Sequence, residues 1–189
     1  MTVAIFSLFK TKTMQIFYLD VDPVKAAKMM CDEHMRKSII ELLQILSTVW
    51  AIHCPLTYNR LFASGKLYKP WRVYQHPSIQ WVMQSRGNYN YTVALLVACL
   101  DEYHVSRVES GKGDRVHACD HMAEALVDLG HPSLPDIDVP MSQEYQAIPV
   151  EYKEEQGDVA YRRLYNEFKV YNMKMSWRNG RTKPEWFQH

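Results

Sequence analysis

Cys31-Asp32-Glu33-His34-Met35-Arg36-Lys37-Ser38-Ile39-Ile40-Glu41-Leu42-Leu43-Gln44-Ile45-Leu46-Ser47-Thr48-Val49-Trp50-Ala51-Ile52 is the stretch whose reading decides the fold. At ~100° per residue, His34, Lys37, Glu41, Gln44 and Thr48 fall on one narrow strip of a helix. The remaining circumference is mostly apolar, and Glu41 is the only charged residue from Ser38 to Ile52. A surface helix carries charge along its outer face; this one is expected to be buried on most sides with a single polar seam. Polar groups in such a seam must pair with one another, with water or with a ligand.

Outward from that helix, the chain punctuates itself. Upstream, Met14-Gln15-Ile16-Phe17-Tyr18-Leu19-Asp20 is a β-rich run that predicts a short strand, followed by Asp20 or Asp22 as a cap and Pro23 in a helical first turn. Residues 1–13 read as an N-terminal extension ahead of a domain spanning 14–189. Downstream, Pro55 is expected to stop the seam helix, and 56–75 to form a long loop. His76-Pro77-Ser78 opens a second long helix, from Ile79 to about Val108, with a bend expected near Gly87. A third helix is expected from Arg115 to Leu129, ending at Gly130-His131-Pro132. Residues 131–157, with Pro132, Pro135, Pro140 and Pro149, form an irregular wrap before a last helix capped by Asp158. The expected fold is therefore mainly α, a single-domain helical bundle with one or two short strands near the N-terminus.

The chain has 189 residues, 47% of them apolar and 23% charged, which suits a globular domain with a full core. No run approaches the ~20 apolar residues of a membrane-spanning helix. A formal net charge of +1 lacks the signature of a protein that coats nucleic acid, so such a role would need a local basic patch. Lys66, Lys69 and Arg72 form one candidate, and Arg162, Arg163, Lys169, Lys174, Arg178, Arg181 and Lys183 another. Cys31, Cys54, Cys99 and Cys119 have no CxxC pair, which points to reduced thiols.

For chemistry, the seam offers His34, Lys37 and Glu41, to be completed by His76 at a helix entry, by Glu102 and by His117. His beside Glu sets an imidazole's tautomer, and Lys favours an ionised carboxylate or binds a phosphate. Trp81, Tyr89, Tyr103, Trp177 and Trp186 supply flat surfaces for a base. The same row is equally what a helix-stabilising charge row looks like, at ~0.2–0.5 kcal/mol per pair. His117-x-Cys119-x-His121 alternates on a helix and cannot ligate one metal. A mixed site from His34, Glu41, His76, Glu102 and His117 ranks below metal-free acid–base chemistry, and no metal ligands or cofactor are assigned. A nucleophilic cysteine ranks lower still, and Ser110-Gly111-Lys112-Gly113 lacks P-loop spacing. Tyr161, Tyr165, Phe168 and Tyr171 read as a core-facing stripe.

Several of these pieces recur in one order: Asp32-Glu33-His34 with Lys37, Glu41 and Gln44; His76-Pro77 with Trp81, Ser85, Asn88 and Tyr89; Glu102-Tyr103 with Arg107; His117; then Tyr161, Tyr165, Lys169, Trp177 and Pro184-Glu185-Trp186-Phe187. In this order, over roughly 14–187, the chain resembles a family of small proteins without an assigned reaction found mostly in tailed phages and other large DNA viruses. It departs where the family often carries Arg-Glu, here Met83 and Gln84. The resemblance implies a viral origin, the cytoplasm of an infected cell, and a role near nucleotides or DNA. The expected catalytic set is His34, Lys37, Glu41, His76 and Glu102. Gln44, Trp81, Ser85, Asn88, Tyr89, Tyr103, Arg107 and His117 are the expected substrate contacts. The expected reaction is acid–base hydrolysis or group transfer on a nucleotide or DNA, a glycosidic bond among the candidates. The alternative is a non-catalytic viral protein that binds a host protein or nucleic acid.

Overall fold

The computed structural model describes residues 14–189; the expected extension at 1–13 lies outside them. The seam stretch is one helix, Asp32–His53 (α2), 22 residues and so about 33 Å long. Its Ile39, Leu42, Leu43, Ile45, Leu46 and Val49 are fully buried, and Ser38, Ser47 and Thr48 are buried with them. Exposure is confined largely to Glu33, Arg36 and Lys37 in the first two turns and to the last two residues, as the seam pattern requires.

Before α2, Asp22 accepts hydrogen bonds from the Val24 and Lys25 amides and starts the short helix Pro23–Met29 (α1). The expected strand at 14–20 is not a strand; among the described residues there is none. Its backbone instead makes local bonds, Tyr18 N to Ile16 O and Leu19 N to Phe17 O, while Met14, Ile16, Phe17 and Leu19 are buried. β-branched and aromatic composition marks a segment that fits a half-buried surface; without a neighbouring strand it becomes a core-filling arm.

The expected loop at 56–75 is also corrected. Pro55 does not merely stop α2; it opens a new helix, Pro55–Ala63 (α3), from the first-turn position where its missing N–H costs nothing. The second long helix is two helices, Pro77–Gln84 (α4) and Arg86–Glu109 (α5). The break falls at Ser85 rather than Gly87: Ser85 is extended, and its hydroxyl accepts the Asn88 amide as an N-cap. The third helix starts later than expected, at Asp120, and runs to Leu129 (α6). Helix α5 packs along α2 and also contacts α1, α4 and α6.

The 131–157 wrap is irregular apart from one 3₁₀ turn at Val150–Tyr152. The last helix begins at Gly157, not at an Asp158 cap (Gly157–Leu164, α7). A β-carbon at Gly157 would lie 2.6 Å from a Met141 side-chain carbon, so glycine lets α7 seat against the wrap. Asp158 instead pairs with Arg162 one turn on, at 3.4 Å. Helix α7 continues through a π-turn, Tyr165–Lys169, into a final turn at Val170–Asn172.

Candidate functional site

The π-turn faces the seam. π-turns inside α-helices frequently mark functional positions, and this one carries Tyr165 and Lys169 to α2. The Tyr165 hydroxyl lies 2.7 Å from His34 Nδ1. Burial, with Lys169 and Lys37 adding to it, holds the His34 pKa well below its ordinary value, and burial holds the Tyr165 phenol well above its own. Burial thus favours the neutral imidazole, and one hydrogen bond joins its Nδ1 to the phenol. The Phe17 ring stacks on the imidazole, with centroids 4.0 Å apart.

One turn along the seam, Lys37 Nζ lies 3.2 Å from Glu41 Oε1, and the Gln15 amide donates to Glu41 Oε2 at 3.3 Å. Burial raises the Glu41 pKa above the usual carboxylate value, against the opposing pull of Lys37. Lys169 sits over the faces of Phe17 and Phe168, 5.8 and 5.9 Å from their centroids. Burial and the neighbouring Lys37 lower its pKa. Among the described residues Lys169 has no carboxylate within ion-pair distance. The cluster thus holds one carboxyl, two ammonium groups and a neutral His–Tyr pair. Such a set can bind an anion and exchange a proton beside it.

The other expected catalytic residues lie in different networks. His76 is the N-cap of α4, its Nδ1 accepting the Ser78 amide at 3.3 Å, and burial lowers its pKa. Glu102 Oε2 accepts from Arg181 Nε at 2.9 Å. Among the described residues no hydrogen bond or ion pair joins His76 or Glu102 to His34, Lys37 or Glu41. Among the described residues no three His, Cys, Asp or Glu side chains gather as metal ligands.

The expected substrate contacts are largely engaged in the scaffold. Trp81 is buried and its indole donates to Val139 O. Ser85 caps α5, Asn88 Nδ2 donates to Trp81 O, and the Tyr89 hydroxyl accepts the Trp50 indole N–H at 2.8 Å. Tyr103 meets His117 edge to face, and Arg107 lies 6.0 Å from the Tyr103 centroid. His117 Nδ1 accepts the Cys119 amide, and burial lowers its pKa despite Asp120. The Gln44 carbonyl accepts the Thr48 hydroxyl, and the Gln44 side chain is half-buried at the seam's middle.

Tyr165 and Lys169 are the functional candidates that pattern reading passes over, one assigned to a core stripe and the other to a basic face. The available signal is their spacing: four residues apart, they must share a helical face, so a lysine stands on the tyrosine stripe.

A second network, also absent from the sequence expectations, surrounds Arg181. Its Nη1 donates to Asp32 Oδ1 at 3.1 Å, its Nε to Glu102, and its Nη2 to the carbonyls of Ala27 and Met30. Arg178 Nε and the Ser176 hydroxyl both donate to Asp32 Oδ2 at 3.0 Å. Burial would raise the Asp32 pKa, but the hydrogen bonds from Arg178, Ser176 and Arg181 outweigh it and hold the carboxyl below its ordinary value.

Comparison with known proteins finds no match for this chain among family models, curated proteins or solved structures.

Proposed function

We propose that the chain is a viral enzyme acting on a nucleotide or on DNA by acid–base hydrolysis or group transfer, at the cluster between α2 and the π-turn. One observation carries the reading: a mostly buried ammonium, Lys169, has no carboxylate within ion-pair distance among the described residues and stands near a buried carboxyl, Glu41, whose pKa is raised. An unpartnered buried cation is costly unless an anion completes it, and a substrate phosphate has the right charge. A carboxyl whose pKa is raised by burial holds a proton more readily than an exposed one, which suits a general acid or base. Glu41 is the proton-exchanging group, Lys37 and Lys169 hold the anion, and Tyr165 with Phe17 fixes the tautomer and plane of His34. The viral origin rests on the sequence resemblance alone.

The test is a panel of nucleotides, single-stranded and duplex DNA, with and without divalent metal, run on the wild type and on Glu41→Gln. The expected result is turnover of at least one substrate by the wild type, with loss of at least a hundredfold in a folded Glu41→Gln variant. Full activity in that variant removes Glu41 from the mechanism.

The non-catalytic reading keeps one observation in its favour. Two concave surfaces lie elsewhere, a groove of about 420 Å³ between α1, α5 and α6 and a depression beside Arg163 and Tyr171, and neither is lined by the seam residues. Inactivity across the whole panel would favour it.

A further inference from the structure

From Glu41 to Asp101 the chain contains no Asp or Glu, yet it carries Arg60, Lys66, Lys69, Arg72 and Arg86. Arg86 pairs with Asp136 at 3.5 Å. The other four are exposed, and among the described residues none has a carboxylate within ion-pair distance. All four lie on α3 and the segment after it, and aromatic rings alternate with them along the chain. Phe62 is 46% exposed and Tyr74 47%, with Trp71 half-buried between the cations on either side.

This surface is held in shape. The Phe62 ring stacks on the buried Tyr58, with centroids 5.6 Å apart and planes within 14°. The Tyr58 hydroxyl donates to Tyr68 O, the Tyr68 amide to Ser47 Oγ at 3.0 Å, and the Trp71 amide to Thr48 Oγ1 at 2.8 Å. Gln80 fixes the far end by donating to Tyr74 O. Ser47 and Thr48 belong to α2, so the segment covers the seam about 10 Å along the helix from Glu41. Helix α6 meets the segment at Gly65, whose carbonyl lies 3.1 Å from His121 Nε2.

We infer that this face, α3 and residues 64–76, binds single-stranded nucleic acid, with phosphates on Arg60, Lys66, Lys69 and Arg72 and bases stacked on Phe62 and Tyr74. A stacked ring at Phe62, a second ring on the anchored backbone of Tyr74, and cations without an ion-pair partner among the described residues, in alternation, match the base–phosphate alternation of an unpaired strand. A duplex hides its base faces and offers those rings nothing to stack on. An acidic peptide would use the cations and leave the rings idle, and a lipid surface would call for a continuous apolar face. The inference deepens the proposed function by naming the state of its nucleic-acid partner, but its observations are separate from the Glu41 cluster.

The test is fluorescence anisotropy with a labelled oligothymidylate of about 15 nucleotides, with unlabelled duplex DNA, polyglutamate and phosphatidylserine vesicles as competitors. Wild type is expected to bind the strand in preference to all three. Lys69→Gln with Arg72→Gln should lower the slope of log affinity against log salt by about 1.4, the value for two single-strand phosphates. Phe62→Ala and Tyr74→Ala should each weaken binding at least about fivefold. Wild type that binds the strand but turns over nothing in the panel overturns the catalytic reading alone, and wild type that turns over a nucleotide but does not bind the strand overturns this inference alone. Equal competition by duplex, polyglutamate or vesicles overturns the inference, as do surface variants that fold, by circular dichroism, and bind unchanged.

Discussion

Arg181 is a buried cation and Lys169 a half-buried one, and the structure treats them oppositely. The Arg181 side chain is 1% exposed, with carboxylates on two sides and carbonyls at its tip, so every direction of its fork is answered. Removing it takes from Glu102 the cation it pairs with and leaves Asp32 with Arg178 alone. Arg181→Met is therefore expected to cost roughly 3–5 kcal/mol in urea unfolding, and Arg181→Lys to recover only part of that, because an ammonium cannot span the same fork. Lys169 has aromatic faces, a second lysine and the Glu41 carboxyl nearby, but among the described residues no carboxylate within ion-pair distance. Lys169→Met replaces an unpaired charge by an apolar chain of similar length and is expected to raise stability by about 1 kcal/mol while weakening binding of phosphate-bearing ligands. A destabilised Lys169→Met would mean that the cation is structurally satisfied and would remove the main support for an anion site.

At the scale of elements, Ser85 divides what pattern alone joins into one bent helix. If its role is capping α5, Ser85→Ala should cost about 1 kcal/mol in the same unfolding measurement. If 79–108 behaved as a continuous helix, alanine would be neutral or stabilising there, since it is the better helix former. The break is hard to read from sequence because Gly87, the stronger punctuator, stands two residues away. Pro55 misleads for a related reason: the same ring that ends one helix is well placed to begin the next. Helix α2, by contrast, is legible from its strip of polar residues, because a narrow seam in an otherwise apolar circumference has one three-dimensional meaning. Half of the candidate site follows from that strip, namely His34, Lys37 and Glu41. The other half does not, because no local pattern tells that a π-turn more than a hundred residues later will place Tyr165 and Lys169 against it.

At the scale of the molecule, the C-terminal segment ties the start of α2 to the end of α5. The turn at Asn179-Gly180, both with positive φ, sends Arg181 inward, while Ser176 O accepts the Asp32 amide and the Trp177 indole donates to Met29 O. Such closure makes buried titratable groups answerable to global unfolding, and their signs differ. His34 has a folded pKa below its unfolded value of ~6.5. The unfolded chain binds that proton first, so the His34 contribution is complete above ~6.5 and is lost as pH falls from there toward the folded value. Asp32 is likewise depressed, so its contribution is present above ~4 and is lost as pH falls through its folded value. Glu41 is raised and runs the other way, its contribution complete below ~4.3 and lost as pH rises through the folded value. His76 and His117, also depressed by burial, share the sign of His34. Urea midpoints at pH 7, 6 and 5 for wild type and His34→Gln separate these contributions, because glutamine keeps a partner for Tyr165 and Glu41, His76 and His117 are common to both proteins. Wild type should lose stability relative to the variant over that interval, by up to about 1.4 kcal/mol per pH unit below 6.5. Parallel curves would mean that His34 charges freely in the folded protein, contrary to a buried neutral imidazole paired with Tyr165.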